Sequence, residues 1–147
     1  ALVARLSETK ARAISQQHPD ALVIAADTVV VLDGDILGKP ADTAQNRAYV
    51  SRLSGREHTV YTGHALLYSG AADVSVKTSR VTFRALNSDE LDWYAATGEG
   101  LDKAGGYAIQ GKGAALVPHI EGCYFNVMGL SVAATVEAAA RRGLRLA

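Results

Sequence analysis

The stretch Val23-Ile24-Ala25-Ala26-Asp27-Thr28-Val29-Val30-Val31-Leu32 decides the architecture. With Leu22 before it, the run is almost continuously apolar and rich in valine, which suits a strand buried on both faces. Asp33-Gly34-Asp35 then turns the chain. Asp27 is the outlier in this run, because an unpaired carboxylate there would cost several kcal/mol to bury. A metal ion, a lysine or a ring of backbone donors could compensate it, and the small Ala25 and Ala26 leave room beside it for a ligand. The alternative is an aspartate at a strand bulge, capped by backbone amides.

Working outward, Leu2 to Gln17 favours a helix with Leu2, Leu6, Ala13 and Ile14 on its apolar face, closed by His18-Pro19-Asp20. A second helix is expected from Asp42 to Leu53, stopped by Gly55, and two long strands from Glu57 to Leu86 with a turn at Ser69-Gly70. Asn87 and Glu90 have the form of a helix cap and its reciprocal partner, opening a helix through Ala96 that Gly98 terminates. A short strand is expected around Ala115 to Ile120, and a last helix from Ser131 to Arg142. Long strands with interspersed helices indicate an α/β or α+β domain with a mixed sheet.

The chain has 147 residues, 48% of them hydrophobic, enough for one globular domain with its own core. Lysine plus arginine and aspartate plus glutamate number 15 each, so no global field draws it to nucleic acid or to an acidic membrane surface. Any phosphate binding must be local. Cys123 is the only cysteine, which excludes an internal disulfide and a cysteine zinc cluster, suits a reducing cytoplasm and reads as a small buried apolar residue. No apolar stretch approaches the span of a membrane helix, so a soluble, cytoplasmic protein is expected.

Local features supply candidates for chemistry. Lys39, between Gly38 and the stiffening Pro40, presents an ammonium in a restricted region where a phosphate would suit it, although most lysines are solvated surface charge. Six glycines fall from Gly98 to Gly113 inclusive, interleaved with Asp102, Lys103, Tyr107 and Gln110, a combination suited to phosphates and a base. Ser54-Gly55, Thr62-Gly63 and Asn126 to Gly129 offer polar groups at element ends. Gly111-Lys112-Gly113 lacks the spacing of a Walker loop, no GxGxxG or GxSxG motif stands in context, and His18, His58, His64 and His119 lack zinc-ligand spacing. Lys10 cannot be told locally from Arg5 and Arg12.

Seven segments then form an ordered pattern: Ala25-Ala26-Asp27-Thr28-Val29-Val30, Gly38-Lys39-Pro40, Leu53-Ser54-Gly55, His58-Thr59-Val60 with Thr62-Gly63, Asp102-Lys103-Ala104-Gly105-Gly106-Tyr107, Ile109-Gln110-Gly111, and Asn126-Val127-Met128-Gly129-Leu130. Together they resemble the Maf family of nucleotide pyrophosphatases across essentially the whole chain. The resemblance implies a single Maf/Ham1-like domain over residues 1–147, with a central mixed sheet flanked by helices and a cleft between two lobes. It implies hydrolysis of a nucleoside triphosphate at the α-phosphorus to the monophosphate and pyrophosphate, with a divalent cation such as Mg2+ or Mn2+.

By position, Asp27 matches the family's proton acceptor and candidate metal ligand, Lys10 and Lys39 its phosphate-facing lysines, and Thr28 and Gln110 the positions tied to substrate choice. Asp102, Lys103, Ser54 and Thr62 complete the substrate-binding set. Ile109-Gln110-Gly111 resembles the branch acting on dTTP and UTP; 7-methyl-GTP or another purine triphosphate, or a non-catalytic nucleotide-binding regulatory role, are the competing readings. The nucleoside triphosphate is the expected partner, with no nucleic acid or membrane, and a homodimer is allowed. The family pattern begins with a strand and a Ser-Pro-Arg-Arg loop not seen before Ala1, so the domain is expected to be N-terminally incomplete and this chain by itself to have little activity. Ser131 stands where the family usually has proline, and both suit a helix start.

Overall fold

Short-range signals place most elements where the sequence reading puts them. In the computed structural model, which describes residues 2–146, α1 spans Leu2–Gln17, β1 Val23–Leu32, β2 Asp35–Leu37, α2 Thr43–Leu53, β3 Glu57–Tyr68 and β4 Ala71–Thr82. They are followed by α3 Ser88–Ala96, β5 His119–Glu121, α4 Tyr124–Met128 and α5 Val132–Arg141. The strands form a five-stranded sheet in the order β2-β1-β3-β4-β5, and the α/β class is the one expected. Asp33 (φ 51°) and Gly34 (φ 81°) are both left-handed, as a two-residue type I′ hairpin requires, and Leu32 pairs with Asp35 in an antiparallel register. Ser69 (φ 49°) and Gly70 (φ 78°) repeat that conformation between β3 and β4. Asp42 caps α2 through the Gln45 amide, Asn87 and Glu90 form the reciprocal box on α3, and Ser131 caps α5 through the Ala134 amide.

The chain divides into two compact units, the first formed by residues up to Thr28, Tyr61–Thr78 and Cys123 onward, the second by Val29–Val60 and Ser79–Gly122. In the first unit, alternate residues of β3 face opposite layers. Ala65 and Leu67 pack with Val23, Ala25 and Ala11 of α1, while Leu66 packs with Leu22 and with Ala138 and Ala139 of α5. In the second unit the fully buried side chains include Leu32, Val50, Leu53, Phe83, Tyr94 and Leu116.

Several expectations are corrected. The buried row of α1 is Val3, Ser7 and Ala11, whereas Leu2 and Leu6 are each 37% exposed and Ile14 48%. The reason is close approach: a Cβ on Gly63 would stand 2.1 Å from the Val3 carbonyl oxygen, so this face of α1 carries small residues. β1 is not buried on both faces, since Ile24 is exposed and residues 25–29 are half-buried. The stretch expected as a strand from Ala115 instead opens with a 3-10 turn over Lys112–Leu116, and the strand is confined to His119–Glu121. Cys123 is half-exposed beside Ser131, with Sγ 3.6 Å from the serine oxygen, rather than buried.

Candidate active site

Asp27 lies in β1 on the side that carries Val23 and Ala25 against α1. The seating of α1 on Gly63 brings Lys10 to it, with Nζ 2.5 Å from Asp27 Oδ1. The Asp27 side chain is 20% exposed and that of Lys10 56%, so the carboxylate is paired and partly hydrated. That answers what compensates an acid inside an apolar strand. Arg12 on the same helix is used differently: it pairs with Glu8 one turn back. Only the tertiary contact singles out Lys10.

Thr28, the next residue, points to the opposite side, where its hydroxyl lies 2.9 Å from that of Thr62 on β3. Thr62 is fully buried and donates to the Asn126 carbonyl oxygen at 2.9 Å. A hydroxyl has one hydrogen, so with Thr62 committed to Asn126 the hydrogen between the two threonines belongs to Thr28. Thr28 therefore donates inward and keeps its oxygen lone pairs for a donor on a ligand. Asp27 and Thr28 are adjacent in sequence but serve opposite faces of one strand.

In the second unit the Lys39 loop is tied to the glycine-rich segment, the Gly105 amide donating to the Gly38 carbonyl oxygen at 3.1 Å. Pro40 is buried while Lys39 is exposed, as expected for an ammonium on an anchored loop. Lys103 Nζ lies 3.7 Å from Asp102 Oδ1, both at the surface. Gly105 to Ile109 are buried and Gln110 is exposed directly after them. Ser54 has local work, its hydroxyl accepting from the Leu86 amide at 2.7 Å. His58 is buried, 2.6 Å from the Tyr107 hydroxyl, and both rings meet Phe83 edge-on. Burial depresses the His58 imidazole to about 4, so it is neutral near pH 7. His64 accepts from the Ser131 amide at 2.8 Å, and His18 and His119 are exposed, so no histidine gathers as a zinc ligand.

The sequence reading missed Glu99 and Tyr94, which bind the backbone of the glycine-rich segment. A carboxylate between two glycines gave no local signal. As for a metal, no group of three or more histidine, cysteine, aspartate or glutamate side chains forms a cage among the described residues. A single accessible carboxylate, Asp27, fits a magnesium-like cation held chiefly by substrate phosphates and water. Nor is any helix among the described residues long and apolar enough to cross a membrane.

Compared with known proteins, residues 1–142 match the family described as Maf-like protein. The chain is 52% identical to a dTTP/UTP pyrophosphatase of Myxococcus xanthus over 146 residues, covering 99% of this chain and 74% of that protein. It is 51% identical to a dTTP/UTP pyrophosphatase of Deinococcus radiodurans, covering 90% of this chain and 68% of that protein. A dTTP/UTP pyrophosphatase of Pyrococcus abyssi is 42% identical over 90% of this chain and 71% of its own length.

Proposed function

The chain belongs to the family of Maf-like proteins, and from that premise we propose that it is a nucleotide pyrophosphatase that hydrolyses dTTP and UTP. The observation that carries this reading is the 52% identity to a dTTP/UTP pyrophosphatase along 99% of the chain. The Lys10–Asp27 pair supplies chemistry that agrees with it. Water attacks the α-phosphorus, the bond from that phosphorus to the α–β bridging oxygen breaks, and pyrophosphate leaves with the bond's electron pair. The proton lost by the water goes to Asp27, whose position beside the Lys10 ammonium keeps one carboxylate oxygen oriented.

Lys10 and Lys39 are assigned to the phosphate oxygens, where positive charge offsets the charge that develops on the leaving group. Thr28, with its hydrogen committed to Thr62, is assigned to accept a donor from the substrate, and Gln110, able both to donate and to accept, to a pyrimidine edge. A divalent cation, Mg2+ or Mn2+, would be held by Asp27 together with the substrate phosphates, and when bound it lowers the pKa of water and neutralises phosphate charge. Asp102 and Lys103 complete the assigned substrate contacts, and the cytoplasm is the assigned compartment.

The test is pyrophosphate release from a panel of nucleoside triphosphates with magnesium, by the full-length protein and its Asp27→Asn variant. Turnover of dTTP and UTP that vanishes in the variant supports the reading. A preference for 7-methyl-GTP or another purine, or binding without turnover, defeats it.

A further inference from the structure

Gln110 is an exposed amide on a six-residue turn, Ala108 to Gly113, and both ends of that turn are gripped by one pair of side chains. Tyr94 of α3 is fully buried, and its hydroxyl accepts from the Ala108 amide at 3.0 Å. The same hydroxyl donates to Glu99 Oε1 at 2.9 Å. Glu99 Oε1 also accepts from the Gly113 amide at 2.9 Å, and Oε2 from the Lys112 amide at 2.8 Å. Three donors thus converge on one half-buried carboxylate, which suits the ionised acid and no neutral side chain.

The turn is also closed sterically. A Cβ on Gly111 would lie 2.2 Å from Glu99 Oε2, and one on Gly113 would lie 2.2 Å from the Ala108 carbonyl oxygen. The backbone beside Gln110 is therefore pressed onto the carboxylate, and the two ends of the turn touch. Burial opposes ionisation of Glu99, but the Gly113 and Lys112 amides and the Tyr94 hydroxyl overcome it and hold its pKa below the usual carboxylate value. A loop that only had to be covered could use any apolar contact. This one uses a charge that binds the turn just after Gln110 and, through the Tyr94 hydroxyl, is linked to the amide that opens it.

We propose that Glu99, acting with Tyr94, is the positioning residue for Gln110 and thereby sets the preference for a pyrimidine over a purine base. The inference rests on the reading of Gln110 as the base-facing amide. Glu99 touches no substrate; it fixes where the Gln110 amide stands, so it governs selectivity through KM more than through kcat.

The experiment compares Glu99→Gln, Glu99→Asp, Gln110→Ala and the double variant Glu99→Gln/Gln110→Ala in the full-length protein. Glu99→Gln keeps the size of the side chain but turns an NH2 toward one of the donors. The expected result is a KM for dTTP raised about tenfold and a dTTP-over-GTP preference reduced by a similar factor, with kcat changed far less. Gln110→Ala should do the same, and the double variant should be no worse than either single one, because both remove one interaction. Partial recovery in Glu99→Asp is expected. An unchanged preference in folded Glu99→Gln, or additive losses in the double variant, overturns the proposal.

Equilibrium binding of dTTP and GTP separates this from the failure of the pyrophosphatase reading. A protein without turnover defeats that reading, whereas Glu99→Gln binding both nucleotides as the parent does defeats the positioning role. Hydrogen exchange supplies the structural check: the Lys112 and Gly113 amides should lose protection in Glu99→Gln, and retained protection overturns the clamp.

Discussion

Gly63 and Val3 are in backbone contact: a Cβ on the glycine would fall 2.1 Å from the Val3 carbonyl oxygen. This contact seats α1 close to β3 and so brings Lys10 within 2.5 Å of Asp27. Gly63→Ala is therefore expected to displace the helix, to destabilise the fold by about 1–3 kcal/mol as an overpacked site does, and to lower dTTP turnover. Thermal unfolding and pyrophosphate release, measured on the same sample, check both halves. Unaltered turnover would mean that the placement of Lys10 is not needed.

Lys10 and Asp27 should separate stability from activity. The pair is partly exposed, so Lys10→Met should change folding stability by about 1 kcal/mol or less. The same variant should raise KM for dTTP, through a lost phosphate contact, and lower kcat. Asp27→Asn should lower kcat by about 100-fold or more if the carboxylate accepts the proton. Denaturant titration and steady-state kinetics decide it, and an Asp27→Asn enzyme of near-normal kcat would remove Asp27 from the chemistry.

Thr62 orients Thr28, and the direction of the hydrogen bonds is testable. Thr62→Val leaves the Asn126 carbonyl oxygen without this donor and releases the Thr28 hydrogen, at a cost of about 1–3 kcal/mol. Thr62→Ser should recover most of that loss. Unfolding midpoints measure the stability, and the ratio of kcat/KM for dTTP and GTP shows whether freeing Thr28 relaxes selectivity.

His58 predicts a pH dependence of folding. Its imidazole titrates at about 4 in the folded protein, through burial, against 6.5 without that environment. Between these values the unfolded chain binds a proton that the folded chain does not, so stability falls as pH falls from 6.5 toward 4. The loss reaches about 3 kcal/mol at most, from the 1.36 kcal/mol that each pKa unit represents. His58→Gln, which still reaches for the Tyr107 hydroxyl but does not titrate, should lack this part of the slope. Urea unfolding of both proteins across that range is the measurement, and parallel slopes would refute it.

Local rules made much of the fold legible. The left-handed pairs at Asp33-Gly34 and Ser69-Gly70, the Asn87–Glu90 box and the Ser131 cap are interactions among near neighbours, whose energies depend little on distant residues. On α1 periodicity points to the large residues, whereas a backbone contact with Gly63 selects Val3, Ser7 and Ala11. β1 is less covered than its apolar run suggests, because composition reports hydrophobicity, not how completely neighbours cover each position. Glu99 stayed hidden for a similar reason: its partners are the amides of Lys112 and Gly113, and amides carry no sequence signature.

The sequence by itself determined most of the elements, the α/β class, the family and the unusual place of Asp27, because turn chemistry, capping and an acid within an apolar run are local in kind. Only the tertiary structure decided that Lys10, not Arg5 or Arg12, meets Asp27, that Thr28 turns its hydroxyl to Thr62 on the other side of the strand, and that Glu99 and Tyr94 hold the Gln110 turn. Each of those is a contact between segments far apart along the chain. Its existence depends on which face of a helix or strand the packing presents, and residue spacing does not specify that.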